Sequence, residues 1–198
     1  PLKGNPADFV PPEQRHHFDY WYHHTTNSHL HAVGWAGADK KPWEIAKLDK
    51  WSAEVDADNA VRYLLNQDGR QRDPAKPFCL FVSMNPPHSP YAQVPERYLK
   101  LYRDLDVEAE AARTPNLKPA GQGMGAYGRK QLKNYYACVS GVDEQFGRIL
   151  DAIRQAGLEE DTIVVFTSDH GNCLGRHDEI TKNNPYQESF RVPFLVRW

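Results

Sequence analysis

Hydrophobic positions along this chain fall into long helical stripes and short continuous runs. Across 51–66 the apolar side chains Val55, Ala60, Val61, Leu64 and Leu65 recur at helical spacing, and Asp68-Gly69 supplies a stop. A longer stripe follows. Leu132, Tyr135, Val139, Val142, Phe146, Ile149, Leu150 and Ile153 repeat at three and four residues, which predicts a helix over about 128–156 with Gly157 ending it. Asp143 lies close to that apolar face, so a structural hydrogen bond is its expected role. The runs 78–84 and 162–167 contain neither Gly nor Pro and read as strands, the second buried on both faces. A further apolar run through Phe194-Leu195-Val196 returns the chain to the sheet after a loop.

Residues 95–102 suggest a short helix. Residues 103–128 are polar, small and Gly-rich and read as a flexible surface insertion; the run Gly121-Gln122-Gly123-Met124-Gly125 lacks the spacing and the Lys-Ser/Thr of a phosphate loop. Residues 1–50 are rich in Pro, His and aromatics with no sustained period, so Phe18, Tyr20, Trp21 and Tyr22 are expected to pack within loops. A strand, a long helix and another strand follow the crossover grammar of α/β folds, and no internal repeat is visible.

At 198 residues the chain can bury one good core, as one domain or a large piece of one. A formal net charge of -2 gives no polyanion signal, which argues against nucleic acid as a partner. Cys79, Cys138 and Cys173 show no metal-binding spacing; Cys79 in a predicted strand and Cys138 in a predicted helix are expected to be core thiols. No run approaches the roughly 18 apolar residues of a membrane helix. The start at Pro1 and the stop at Trp198, directly after a predicted strand, suggest a chain cut at both ends.

Candidate chemistry gathers where the 162–167 run ends. Ser168-Asp169-His170-Gly171 follows at once, putting ligand-type side chains at a strand's carboxyl end, the edge where open α/β sheets build sites. Alone, Asp169 and His170 equally fit an ordinary loop start with Asp as its cap. The continuation tips the balance. With His177 and Lys182 on the same excursion, two potential metal ligands and two groups suited to an anion fall within fourteen residues. A second candidate ends the 78–84 run: in Asn85-Pro86-Pro87-His88 two prolines fix the backbone and remove N–H donors, so the loop is stiff enough to aim His88. The other histidines, His16, His17, His23, His24, His29 and His31, match no standard zinc spacing and are expected to be mostly bystanders.

Ser168-Asp169-His170-Gly171, Leu174-Gly175-Arg176-His177, Lys182 and Glu188-Ser189-Phe190-Arg191-Val192-Pro193 together resemble the carboxyl-side part of the catalytic domain of type I sulfatases, within the alkaline-phosphatase superfamily. Pro86-Pro87-His88-Ser89-Pro90-Tyr91, Pro95-Glu96-Arg97-Tyr98 and Phe18-Asp19-Tyr20-Trp21 fit the same pattern, so the resemblance spans essentially the whole chain. It implies an α/β fold with a mixed, mostly parallel central sheet flanked by helices, as part of one catalytic domain over 1–198. It also implies hydrolysis of a sulfate ester on a sulfated small molecule or carbohydrate. By the same resemblance Asp169 and His170 would help hold a divalent cation, most often Ca2+, although a nitrogen ligand sits uneasily with calcium's preference for oxygen. Lys182 would contact the sulfate, and His88 the sulfate or the leaving oxygen. His177, and His29 in a loop where sulfatases often carry an Asn and a His, are candidates to touch substrate.

Sulfatases use a formylglycine made from Cys or Ser in a C/S-x-P-x-R motif, and these residues hold no such motif; Cys173-Leu174-Gly175-Arg176 lacks the Pro. The nucleophile is therefore expected from a part outside the chain, and the isolated piece is expected to be inert. Two alternatives stay open: a phosphodiesterase or phosphonate monoester hydrolase of the same superfamily, and a non-catalytic binding protein that keeps the fold. Family analogy suggests a periplasmic, secreted or lysosomal parent. Oligomeric state is not legible.

Overall fold

A computed structural model describes residues 9–25, 28–36, 41 and 43–198. The Pro-rich opening residues and Asn27, beside His29, lie outside that set. The chain divides into two compact units, the first made of Pro1–Glu96 and Cys138–Gly157, the second of Arg97–Ala137 and Leu158–Trp198.

In the first unit, β1 (Tyr22–His24), β2 (Val33–Ala36) and β3 (Ala46–Lys47) form a three-stranded antiparallel sheet in that order, with His24 opposite Gly34 and Gly34 opposite Ala46. The sequence hid this sheet. Its strands are two to four residues long, too short for alternation to register. Helix α1 (Ser52–Leu65) starts where Glu54 accepts from the Trp51 N–H at 3.2 Å and stops one turn before the expected Asp68-Gly69, because Asn66 takes a left-handed conformation (φ 45°, ψ 38°). Trp51, Ala53, Ala57, Ala60 and Leu64 are buried, and the Trp51 indole donates to the Gln93 carbonyl at 3.0 Å.

The run 78–84 joins no ladder among the described residues. Its exposure alternates, Phe81 is 81% exposed and Cys79 is an exposed thiol, so neither the expected strand nor the expected core thiol is found there. Apolar content marks a segment able to be buried. A flanking strand or helix must still be present to do the burying.

Helix α2 (Glu96–Leu99) continues into a 3-10 turn, as expected for 95–102. The stretch read as an insertion holds a helix of its own, α3 (Val107–Arg113), because the Asp106 carboxylate caps the Glu108 and Ala109 N–H groups at 3.0 Å. The longest helix, α4 (Gly125–Gln155), matches the predicted one to within three residues at its start and one at its end, and Gly157 leaves it at φ +67°. Its buried stripe is made largely of small residues, including Gly128, Ala137, Cys138, Gly141 and Ala152, with Leu132, Ile149 and Ile153. Val139 and Asp143 fall off that stripe and are exposed, so the structural bond expected of Asp143 is not made on the packing face. Cys138 is buried as expected, and Cys173 is buried too.

In the second unit β4 (Val164–Thr167) and β5 (Phe194–Arg197) pair antiparallel, Val165 opposite Val196 and Thr167 opposite Phe194. The strand and its return are where the sequence put them. They are not buried on both faces: Val165, Phe194, Leu195 and Val196 are each more than half exposed, since a ladder of two strands covers little of its own surface. Every ladder among the described residues is antiparallel, so the parallel part of the expected sheet is not among them.

Candidate active site

Strand β4 ends at Thr167, whose hydroxyl donates to the Pro193 carbonyl at 3.0 Å, and the next three residues turn outward. Ser168 donates through its hydroxyl to the His170 carbonyl at 2.8 Å, and the His170 N–H donates to Asp169 Oδ1 at 2.9 Å. These bonds hold a tight turn that leaves the Asp169 side chain 84% exposed at the strand's end. Gly171 is required by close approach. A Cβ there would lie 2.1 Å from the Glu188 carbonyl oxygen, while the Gly171 N–H donates to the Ser189 carbonyl at 2.7 Å.

His170 has a defined tautomer. Its Nδ1 lies 2.7 Å from the Gly171 carbonyl, which can only accept, so Nδ1 carries the hydrogen and Nε2 presents a lone pair. Lys182 Nζ donates to that lone pair at 2.6 Å, and Asp169 Oδ2 lies 3.4 Å from the same nitrogen. One carboxylate oxygen and one imidazole nitrogen thus converge, with the other imidazole nitrogen held by a carbonyl, as is usual for histidines that bind metals. The pair fits two ligands of a cation. Among the described residues no group of three or more His, Cys, Asp or Glu completes such a site.

The loop from Gly171 to Arg191 is stitched to itself. Cys173, fully buried, donates its N–H to the Thr181 carbonyl at 2.8 Å, and its sulfur lies 3.4 Å from Ser189 Oγ. Ser189 Oγ in turn donates to Asn184 Oδ1 at 2.6 Å. Ser189 sits in α5 (Gln187–Phe190), so this polar knot ties the loop's far end to its start. Gly175 (φ +91°) passes so near the Met124 carbonyl that a Cβ would lie 2.8 Å from its oxygen, and Gly128 approaches the Leu174 carbonyl equally closely. The Gly-rich stretch is thus packing surface for this loop, at least at its α4 end.

His177 is held from several sides. It sits in a 3-10 turn at φ 56°, stacks on Tyr186 with ring centroids 3.8 Å apart, and donates from Nε2 to Glu188 Oε2 at 3.2 Å. The other Glu188 oxygen lies 3.7 Å from Arg176. Glu188 was not singled out from the sequence, although it opens the Glu-Ser-x-Arg-Val-Pro motif whose place in the pattern is visible there.

Two of the six candidates belong to the first unit. His88 is half-buried and its Nδ1–H donates to the Ser89 carbonyl at 2.6 Å, leaving Nε2 as the nitrogen able to meet a ligand. His29 is fully buried; its Nε2–H donates to the His88 carbonyl at 2.8 Å, and its backbone N–H donates to Gln93 Oε1 at 2.7 Å. Burial holds its pKa below the ordinary value, with the nearby histidines adding to the effect and the bond to His88 opposing it. A third histidine, His24, grouped by the sequence with the bystanders, forms a buried pair. His24 Nε2 lies 3.2 Å from Asp56, and both side chains are over nine-tenths buried. The spacing from β1 to α1 is 32 residues, beyond any local pattern.

Outside these residues, a surface depression of about 460 Å³ follows α1 past Lys50, Asp58, Arg62 and Asp68; it contains none of the candidates and is open along the helix.

Compared with known families, residues 5–198 match the Sulfatase family. The chain belongs to the sulfatases. It is 39% identical over 196 residues to an endo-4-O-sulfatase of Bacteroides thetaiotaomicron, covering 96% of this chain and 36% of that protein. It is 31% identical over 192 residues to an ulvan-active sulfatase of Formosa agariphila, covering 96% and 35%. A crystal structure assigned as sulfatase yidJ from Bacteroides fragilis superposes with a TM-score of 0.88 at 43% identity, over 96% of this chain and 40% of that one. This sulfatase chain therefore spans little more than a third of the length of these relatives. Its solved neighbours carry the α/β, alkaline-phosphatase-like fold, in agreement with the fold class read from the sequence.

Proposed function

We propose that this chain is the part of a sulfate-ester hydrolase that supplies a share of the cation site and the groups that neutralise and protonate the ester. The observation that carries the reading is the convergence of Asp169 Oδ2 and Lys182 Nζ on one imidazole nitrogen, at 3.4 Å and 2.6 Å, directly after β4 in a member of the sulfatase family.

Sulfate-ester cleavage needs a nucleophile at sulfur, positive charge on the non-bridging oxygens and a proton for the departing alkoxide. Asp169 and His170 would hold a divalent cation, which supplies charge stabilisation when bound. Calcium's preference for oxygen would call for further oxygen ligands, acidic residues among them, from beyond the described residues. Lys182 carries a compact ammonium suited to a small oxyanion. His170 Nε2 can serve either the cation or Lys182, so a cation there leaves Lys182 free for the anion. His88, with Nδ1–H fixed on Ser89, offers Nε2 to the sulfate or the leaving oxygen. His177 is a further candidate to meet substrate at its exposed edge. The formylglycine nucleophile would come from residues outside these 198, which contain no C/S-x-P-x-R motif.

The relatives' names favour a sulfated carbohydrate as substrate, since one is an endo-4-O-sulfatase and another is active on ulvan. The test uses the full-length protein with a matched aryl sulfate, phosphate monoester and phosphonate monoester, with and without a chelator. Preference for the sulfate, lost on chelation and restored by calcium, is expected. Preference for a phosphorus ester would move the protein to the phosphonate-hydrolase side of the superfamily, and binding without turnover of any ester would make it a non-catalytic relative. The 198 residues alone should turn over none of them.

A further inference from the structure

We propose that His29 is a positioning residue for His88, fixing the loop from which that imidazole acts rather than touching substrate. The proposal rests on the reading of His88 as a group that meets the ester.

Geometry supports it at both ends of the contact. Two successive carbonyls, those of the His88–Ser89 and Ser89–Pro90 peptides, are each taken by an imidazole: His29 Nε2–H holds the His88 carbonyl at 2.8 Å, and the His88 ring itself holds the Ser89 carbonyl at 2.6 Å. The first bond fixes the His88–Ser89 peptide and the second fixes the ring on the peptide that follows it. Together they set the direction of His88 Nε2, and either alone leaves one rotation free. His29 is itself immobilised. It has no exposed surface, its N–H and that of Leu30 both reach Gln93 Oε1, at 2.7 and 3.3 Å, and its carbonyl accepts from the Ser52 N–H at 2.8 Å. Gln93 is anchored in turn by its carbonyl, which accepts from the Trp51 indole. The start of α1 and the His88 loop thus share one buried imidazole. Since burial disfavours its charged form, the donor at Nε2 stays a neutral N–H across the neutral pH range. A buried residue with no open face is poorly placed to meet a ligand and well placed to hold a loop.

The test is a double-mutant cycle in the full-length protein with an aryl sulfate. His29→Phe, which keeps a ring and removes the donor, should lower kcat by about 10- to 100-fold with KM within about 3-fold, the signature of a mis-aimed reacting group. His29→Gln, whose amide can donate to the same carbonyl, should stay within about 5-fold of the parent kcat. In a His88→Ala background, His29→Phe should cost less than about 2-fold more. An undiminished loss in that background, no loss in the parent, or His29→Gln no better than His29→Phe would overturn the proposal. If His29→Phe does not fold, His29→Asn, too short to reach the carbonyl, takes its place in the same cycle. Full activity of His88→Ala would instead remove the role given to His88, and the proposal with it.

Discussion

Two loops carry the candidate chemistry, and they are held in opposite ways. The His88 loop of the first unit is held from outside, by a buried imidazole on a distant stretch of chain, 59 residues away in sequence. The Asp169–Arg191 loop of the second unit is held largely from within, by Gly171 against Glu188, by the knot of Cys173, Asn184 and Ser189, and by Glu188 on Arg176 and His177. Precision comes from different places in the two loops. A loop that presents one group needs its backbone pinned at that group, whereas a loop that presents three needs its whole contour fixed, because a shift at Gly171 would move Asp169, His170 and Lys182 relative to one another.

The contrast can be broken most severely at Gly171. Gly171→Ala puts a Cβ 2.1 Å from backbone oxygen, so strand end and α5 must separate. The expected result, in the full-length protein, is a loss of about 1–3 kcal/mol of stability in chemical denaturation, with turnover of an aryl sulfate reduced more than the folded fraction explains. A wild-type turnover would show that the loop's contour is not fixed by this contact. Next in size is Ser189→Ala. It removes a buried hydroxyl between Asn184 and Cys173, and about 0.5–1.5 kcal/mol is expected from the same denaturation experiment, with the cation requirement unchanged.

The smallest expected effect concerns the first unit's own buried pair. Burial works against a charged His24, but the hydrogen bond and charge of Asp56, with help from the Thr25 carbonyl, outweigh it and raise the His24 pKa above 6.5. Burial also raises Asp56, and His24 opposes that rise. A raised folded-state pKa contributes stability that is complete below the unfolded value of 6.5 and is lost as pH rises through the folded one. Denaturation midpoints should therefore decline as pH rises above 6.5, and His24→Gln should flatten that decline. A midpoint independent of pH in the parent protein would contradict the pairing.

What was legible in the sequence follows from range. Helix α4, helix α1 and the β4-loop-β5 excursion each write their period or apolar run into neighbouring residues, and the ligand-type residues after β4 are contiguous. The residues that hold the site are harder to read. The His29–His88 bond, the His24–Asp56 pair and the grip of Glu188 on His177 join residues with no shared local pattern, and only the fold brings them together. Glycines 171, 175 and 128 could be read as turn formers, but their stricter duty is to let a neighbouring backbone approach. The run 78–84 shows the converse limit: its apolar residues were evident, and the partners needed to make it a buried strand are not among the described residues.

As proposed, the loop after β4 brings a cation-holding pair and an ammonium to one sulfate group. The most direct test of this is the turnover of an aryl sulfate by the full-length protein carrying Lys182→Ala, at saturating calcium. A fall in kcat of about 100- to 1,000-fold with calcium affinity retained is the expected result. Turnover equal to that of the unmodified protein would contradict it.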